Sequence, residues 1–482
     1  MTSPRLAEFV KAYDVRGLVP QQLSPEVARA IGGAFAEQIA IPEGASAVVI
    51  GHDMRPSSPQ LVSAFAEGVM ARGVDAVLIG LCSTDGLYYA SGALDLPGAM
   101  FTASHNPAEY NGIKLCRAGA RPISADTGLD QVRDRAQEWL DEGQPAAVDT
   151  PGVVRERDLL GEYAALLRRL VDLQGIRPLK VVVDAGNGMG GHTVPAVLGT
   201  GAGLAALPLE IVPMYFELDG TFPNHPANPL EPDNLRDLQA AVREHGADLG
   251  LAFDGDADRC FVVDEHGDPV SASAVTALVA TREIGRAVAS GTPVDQVRVV
   301  HNLISSRAVP EIITEHGAQA VRTRVGHSFI KSDMAHHRAI FGGEHSAHYY
   351  FQDFWYADTG MLAALHVLAA LGADRRPLSE VMREYSRYVA SGEVNFSVDD
   401  KAAATARVRD WALHQDGVVE DTLDGLTFTH DGSPMWWLNV RGSNTEPLLR
   451  LNVEAADEAT MTAVRDAALA RIRIHDKETR SI

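Results

Sequence analysis

Apolar and polar positions along this chain repeat a unit of strand, turn and helix. Ala47-Val48-Val49-Ile50-Gly51 is a short apolar run that closes on the polar turn His52-Asp53-Met54-Arg55-Pro56, and a helical pattern begins at Ser58. Lys180-Val181-Val182-Val183-Asp184 leads in the same way to a glycine turn and a helix. Val297-Arg298-Val299-Val300 repeats the layout and ends in His301-Asn302 before a further helix. Runs rich in β-branched residues, each followed by a helix, predict parallel α/β sheets. Their similar layout hints at internal duplication.

The end of the chain is patterned differently. Leu426-Thr427-Phe428-Thr429 and Trp436-Trp437-Leu438-Asn439-Val440 predict strands around the turn Asp431-Gly432-Ser433-Pro434. Leu448 to Val453 extends that sheet, and Asp457 to Ile472 has helical periodicity, which makes a small α+β unit with an antiparallel sheet. Polar, Pro- and Gly-rich breaks fall from Asp141 to Gly152, at Glu265-His266-Gly267-Asp268-Pro269 and at Asp374-Arg375-Arg376-Pro377. A chain of 482 residues is too long for one ordinary domain and suggests roughly three.

Charge narrows the partners. With 64 acidic and 42 basic residues the net charge is −22, so no uniform positive field exists for nucleic acid or an anionic membrane. The three cysteines, Cys82, Cys116 and Cys260, show no CxxC spacing, which fits a reducing compartment without a disulfide framework. No signal-peptide core opens the chain, and no stretch approaches the ~20 apolar residues of a membrane span. The expectation is a cytoplasmic protein.

Two motifs carry the chemistry. Thr102-Ala103-Ser104-His105-Asn106-Pro107 sets a hydroxyl beside an imidazole at the end of the strand read from Pro97 to Thr102. His105 and Lys114 are its candidate proton carriers. Downstream of the apolar strand Leu249-Gly250-Leu251-Ala252-Phe253, Asp254, Asp256 and Asp258 sit at alternate positions, where period-2 spacing puts carboxylates on one side for a hard cation. An EF-hand loop is excluded, because its sixth position is Arg259 where glycine is needed. A serine, a proton carrier and a metal cage are the equipment of phosphoryl transfer, and Arg259 could hold a phosphoryl oxygen. Taken singly, each has a plainer reading: a solvated acidic turn, a capping serine, a solvated lysine.

Three other loops stand out. Gly186-Asn187-Gly188-Met189-Gly190-Gly191 contains G-x-G-x-x-G between a strand and a helix, with Glu210 further on, so it fits either a dinucleotide turn or close helix–strand packing. Gly343-Glu344-His345-Ser346-Ala347-His348 offers groups suited to sugar hydroxyls, or a weak metal pair in His345 and His348. Arg441-Gly442-Ser443-Asn444-Thr445-Glu446-Pro447 suits a phosphate dianion or an ordinary turn.

Together and in this order, the motifs resemble the α-D-phosphohexomutase superfamily, from Tyr13-Asp14-Val15-Arg16-Gly17 to Arg441-Gly442-Ser443-Asn444-Thr445. The sugar loop is most similar to that of the phosphomannomutase/phosphoglucomutase branch. The resemblance implies three similar mixed-sheet α/β domains and a smaller α+β domain around a central cleft. They would span 1–150 (phosphoserine loop), 151–268 (metal loop), 269–380 (sugar loop) and 381–482 (phosphate loop). By the same likeness Ser104 carries a phosphoryl group, and Mg²⁺ bridges it to Asp254, Asp256 and Asp258. Lys114 or His105 handles the proton on the sugar hydroxyl, with Arg259 steadying the phosphoryl group. Glu344 and Ser346 read the sugar, and Arg441, Ser443, Asn444 and Thr445 clamp the non-reacting phosphate. Tyr13, Arg16, Gly326, His327 and His348 complete the cleft.

The implied activity is reversible interconversion of mannose 6-phosphate and mannose 1-phosphate by a monomer or homodimer. Glucose 1,6-bisphosphate or mannose 1,6-bisphosphate would act as activator, and glucose phosphates would also be substrates. His345, Ala347 and Val325 depart from residues common in the branch, which leaves phosphoglucomutase and phosphoglucosamine mutase as alternatives. A metal-dependent phosphohydrolase, a nucleotide-dependent oxidoreductase built on the Gly186 turn and a non-catalytic sugar-phosphate sensor are the readings from other classes.

Overall fold

The apolar run at 47–51 becomes the centre of the first sheet, parallel to both neighbours and buried along Ala47–Ile50. The protein is described by a computed structural model over residues 4–442 and 448–473. Its first part comprises β1 (Val15–Leu18), α1 (Pro25–Phe35), β2 (Ala47–His52), α2 (Ser58–Met70), β3 (Asp75–Leu81) and α3 (Thr84–Leu94). It continues with β4 (Gly98–Phe101), β5 (Tyr110–Arg117), β6 (Arg121–Pro122), α4 (Leu129–Glu142) and β7 (Val154–Glu156). The strand order is β1-β5-β4-β2-β3-β7, with β6 also on β5. Because β7 pairs with β3, the first sheet runs on past the boundary expected at residue 150.

The second part contains α5 (Leu160–Leu170), β8 (Leu179–Asp184), α6 (Gly190–Val197), β9 (Leu209–Met214), α7 (Arg236–His245), β10 (Leu249–Phe253), β11 (Cys260–Val263) and β12 (Pro269–Val270). The third contains α8 (Ala272–Ala289), β13 (Arg298–Asn302), α9 (Ala308–Glu315), β14 (Gln319–Thr323), α10 (His327–His337), β15 (Phe341–Gly343), β16 (Tyr349–Phe351), β17 (Ala357–Asp358), α11 (Gly360–Ala373) and α12 (Leu378–Met382). The break at 374–377 falls between α11 and α12, and the domain bound expected at 380 lies inside α12.

The hint of duplication holds in the topology. The sheets run β9-β8-β10-β11-β12 and β14-β13-β15-β16-β17, and the first sheet contains the same path β3-β2-β4-β5-β6. In each, three parallel strands are followed by an antiparallel one. The three apolar runs of the sequence are β2, β8 and β13, the corresponding strands of the three sheets. The loop between the third parallel strand and its antiparallel neighbour carries Ser104 in the first copy, Asp254–Arg259 in the second and Glu344–His348 in the third.

The last part is the antiparallel sheet that the sequence predicts. It contains β18 (Val389–Phe396), α13 (Lys401–Leu413), β19 (Val418–Asp421), β20 (Leu426–His430), β21 (Trp436–Gly442), β22 (Leu449–Ala455) and α14 (Glu458–Ile472), in strand order β18-β22-β21-β20-β19. Inward-facing Phe428, Leu438, Val440, Leu451 and Val453 pack against Ala404, Val408, Ala468 and Ile472 of the two helices.

Two contacts set the parts against each other. α11 is apolar and buried nearly all round, as a helix enclosed by other elements must be. At its far end a Cβ on Gly372 would come within 2.5 Å of Ile176, so α11 closes onto the second part. The last part meets the third through Trp437 against Leu303 and Ile304, with Val325 alongside. Val325 therefore takes part in an interdomain apolar contact.

Candidate active site

Ser104 follows β4 in a left-handed backbone conformation (φ 49°), and its side chain is buried. Such a conformation is uncommon for a non-glycine residue and needs support from its surroundings. Arg55, itself fully buried, provides it. Its guanidinium donates to the carbonyls of Ser104 (2.9 Å), Asn106 (2.7 Å), Pro107 (2.8 Å) and Tyr110 (2.8 Å), while Asp53 accepts from its Nε at 3.2 Å. The serine loop is thus built around one guanidinium.

The Ser104 hydroxyl donates to Asp254 Oδ2 at 2.8 Å and lies 3.1 Å from His105 Nδ1. The two loops touch through backbone as well: a Cβ on Gly255 would lie 2.3 Å from the Ser104 carbonyl oxygen. Behind Gly255 sits the glycine-rich turn, where Met189 N donates to Gly255 O at 2.9 Å and a Cβ on Gly188 would meet the same oxygen at 2.7 Å. Those glycines are spent on close packing, and Glu210 pairs with Lys180 at 2.9 Å. The dinucleotide reading of this turn has no support in the geometry.

Asp254, Asp256 and Asp258 are all buried and bring ligand oxygens within 4.8 Å of one another. Oδ1 of Asp256 and Oδ1 of Asp258 are buried and accept no hydrogen bond among the described residues. Orphaned carboxylate oxygens in an all-oxygen group are what a hard divalent cation takes, so the residues fit a metal site. Lys114, on β5, donates from Nζ to Asp256 Oδ2 (2.7 Å) and Asp258 Oδ2 (2.6 Å).

Protonation states follow from these neighbours. Burial opposes the Lys114 charge, yet Asp256 and Asp258 outweigh it and hold the ammonium well above the usual lysine value. Burial, with Arg259 and Arg16 beside it, holds the His105 imidazole well below its usual value. Burial raises the Asp254 carboxyl even against Arg259. Burial acts the same way on Asp256, but there Lys114 and Thr84 prevail and keep it ionised. These surroundings favour the charged form of Lys114 and the neutral form of His105.

Arg259 Nε donates to Asp254 Oδ2 at 2.9 Å and its Nη2 to His105 Nδ1 at 2.6 Å. Arg259 also forms a backbone bridge with His348, which fastens the 254–259 loop to the 344–348 loop. There Glu344 accepts from Tyr350 Oη at 2.8 Å and from Gly326 N at 3.2 Å, and the Ser346 hydroxyl lies 3.1 Å from His348 Nδ1. His345 and His348 part company. His348 lies beside Asp258 and Asp358, whereas His345 turns to Asn302 (3.0 Å) and Glu393 (3.7 Å). Arg16 bonds to Asp14 (2.8 Å) and Asn106 (2.6 Å), and the Tyr13 hydroxyl is 3.9 Å from where a Cβ on Gly326 would lie.

Arg441 is buried on β21 directly opposite Arg450 on β22, and Glu393 of β18 pairs with both, at 3.1 and 3.0 Å. Ser443, Asn444, Thr445 and the side chain of His327 lie outside the described residues.

Four phosphoglucomutase/phosphomannomutase family models match in order: alpha/beta/alpha domain I at residues 7–141, domain II at 162–267, domain III at 273–388 and the C-terminal domain at 393–471. The chain belongs to the phosphoglucomutase/phosphomannomutase family. It is 39% identical over 466 residues to the "Phosphohexose mutases" protein of Xanthomonas campestris pv. campestris, covering 96% of this chain and 98% of the relative. It is 38% identical over 468 residues to a phosphomannomutase of Escherichia coli, with the same coverage. Among solved structures, a phosphoglucomutase/phosphomannomutase family protein of Burkholderia thailandensis superposes with a TM-score of 0.84 at 29% identity, covering 98% of both chains.

Within this family member the structure adds residues that sequence reasoning passed over. Arg55 stands in the polar turn after β2, where a charged side chain at a strand end was the visible signal. Thr84, which donates to Asp256 Oδ2 at 2.6 Å, and Asp85 open α3 and carry no motif of their own. Glu393 and Arg450 lie on strands whose pairing the sequence does not display.

Proposed function

We propose that this chain is a phosphomannomutase, an isomerase that interconverts mannose 6-phosphate and mannose 1-phosphate and also accepts glucose phosphates. The observation that carries the reading is the Ser104 hydroxyl 2.8 Å from Asp254, inside a group of three buried carboxylates, in a chain whose relatives are phosphohexose mutases.

In this reading Ser104 carries the phosphoryl group. Ser104, Asp254, Asp256 and Asp258 would hold Mg²⁺, which when bound neutralises charge on the transferring group. A sugar hydroxyl attacks the phosphoserine, the Ser104 Oγ–P bond breaks, and the hydroxyl's proton is passed on so that Ser104 Oγ is left as a free hydroxyl, giving a hexose 1,6-bisphosphate. After the sugar turns end for end, Ser104 Oγ takes its other phosphate and the sugar oxygen left behind gains a proton. Lys114, held as the ammonium by Asp256 and Asp258, would give that proton, and the amine it leaves would take up the proton of the attacking sugar hydroxyl in the opposite direction. His105 Nδ1 and Asp254 are acceptors within reach of the Ser104 hydroxyl proton. Arg259, whose Nε and Nη2 bond to Asp254 and His105, would use the rest of its guanidinium to hold a phosphoryl oxygen.

Glu344 and Ser346 would meet the sugar hydroxyls, with Tyr13, Arg16, Gly326, His327 and His348 around them. Arg441, with Ser443, Asn444 and Thr445, would take the non-reacting phosphate. A hexose 1,6-bisphosphate would serve as activator. No helix among the described residues is long and apolar enough to cross a membrane, and the three cysteines are buried and unpaired. In this reading the chain is cytoplasmic and works as a monomer or homodimer.

The test is isomerisation by the purified chain with Mg²⁺ and trace glucose 1,6-bisphosphate, comparing kcat/KM for the 1-phosphates of mannose, glucose and glucosamine. Formation of mannose 6-phosphate, lost in Ser104→Ala, supports the reading. Release of free phosphate without an isomer overturns it in favour of hydrolysis.

A further inference from the structure

The first turn of α3 sends consecutive side chains to different parts of the molecule. Ser83 caps the helix, accepting from Gly86 N at 3.2 Å. Thr84 grips the metal loop twice: its N donates to Asp256 O at 3.0 Å, and its hydroxyl donates to Asp256 Oδ2 at 2.6 Å. Against the same loop lies the first turn of α11. A Cβ on Gly360 would come within 2.6 Å of the Arg259 carbonyl carbon, so glycine is what lets the two backbones touch. Residues 254–259 are therefore held between two helix N-termini, one from the serine-bearing part and one from the sugar-loop part.

Asp85 joins those two helices. Its carboxylate is fully buried, and Oδ2 accepts from Thr359 Oγ1 at 2.6 Å and from Tyr163 Oη at 2.7 Å, while Oδ1 accepts from the Ser83 hydroxyl. Thr359 is the N-cap of α11, where its oxygen accepts from Leu362 N at 3.1 Å, and Tyr163 belongs to α5. One carboxylate thus ties together the parts that carry the serine, metal and sugar loops. Burying a carboxylate is unfavourable unless every oxygen finds a donor, and an apolar side chain could fill the same space. The carboxylate adds direction: three hydroxyls must converge on one point, which fixes how the first turns of α3 and α11 face each other.

We propose that Asp85 is a positioning residue for the metal site, holding α3 and α11 in the register that keeps Asp254, Asp256 and Asp258 convergent beside Ser104. The inference rests on the metal reading of those three aspartates. It acts through Thr84 on one side of the loop and Thr359-Gly360 on the other, and Asp85 touches neither substrate nor metal. Residues bonded directly to a metal ligand, as Thr84 is to Asp256, change metal affinity by about 10- to 100-fold, and Asp85 holds the helix turn that carries Thr84.

The experiment is Mn²⁺ binding to the full chain by electron paramagnetic resonance, on wild type, Asp85→Asn, Thr359→Val and Thr359→Ser. Asp85→Asn and Thr359→Val should raise the Mn²⁺ Kd by about tenfold or more, while Thr359→Ser binds as wild type does. In the same proteins kcat should fall while KM for mannose 1-phosphate stays within about twofold. Thr359→Val keeps the shape of the native residue and carries the comparison if Asp85→Asn does not fold. Wild-type Mn²⁺ affinity in the folded variants overturns the proposal, as does a Thr359→Ser protein as weak as Thr359→Val. A wild type that binds no Mn²⁺ overturns the metal reading itself, a result distinct from either.

Discussion

The hydroxyl of Ser104 donates to the carboxylate of Asp254 at 2.8 Å across 150 positions of sequence. Neither residue arrives there by its own loop alone. The contact exists because the loops after β4 and β10, which occupy the same place in two copies of one topology, face each other with a glycine between them. Loops at the ends of parallel strands are where open α/β sheets place their ligands.

That glycine gives a sharp prediction. A methyl at residue 255 would sit 2.3 Å from the Ser104 carbonyl oxygen, and backbone on both sides leaves no flexible atom to move. Gly255→Ala should push the serine and metal loops apart. A misplacement near 1 Å costs on the order of 10²-fold in rate, so kcat should fall at least that far while the variant remains folded. Steady-state kinetics alongside circular dichroism checks it.

Arg55 should prove harder to replace than any residue that touches substrate. Its guanidinium serves four carbonyls of the Ser104 loop and neutralises buried Asp53. Removing one partner of a buried ion pair costs about 3–5 kcal/mol. Arg55→Met should lower Tm and abolish turnover. Arg55→Lys should restore little of either, because one ammonium has three donors and no planar fork. Thermal melts and activity of both variants provide the check.

Acid sensitivity should trace in part to Glu393. Burial works against its charge, but His345, Arg450 and Arg441 prevail and bring its carboxyl down to about 2 from the ordinary 4.5. A depressed carboxylate contributes stability that is full above pH ~4.5 and is lost as the pH falls toward ~2. Glu393→Gln should therefore be less stable than wild type near neutrality, and the gap should narrow by on the order of 1 kcal/mol between pH 6 and 3.5. Urea denaturation at both pH values measures it, and a gap that is constant with pH contradicts the ion-pair account.

What the sequence displayed and what it hid divide along a physical line. The motif-bearing loops were legible because each follows an apolar strand and breaks into polar residues whose chemistry shows in their side chains. Arg55 was not, because its partners are backbone carbonyls, which leave no trace in residue type. Asp85 was not, because the Thr359 hydroxyl that explains it lies 274 positions away. The glycine-rich turn misled for a further reason: glycines that admit a pyrophosphate and glycines that admit a neighbouring backbone read alike, and only Gly255 against Gly188 separates the two. β7 escaped the expected boundary because its three residues are all exposed and carry no apolar pattern.

The most direct test of the whole account is to incubate the protein with ³²P-labelled glucose 1,6-bisphosphate and Mg²⁺, locate the label by peptide mapping, and chase with mannose 1-phosphate. The account predicts label on Ser104 alone, none in Ser104→Ala, and its transfer on chasing into hexose bisphosphate and then mannose 6-phosphate. Label on another residue, or its discharge to water as inorganic phosphate while the sugar stays unchanged, would contradict it.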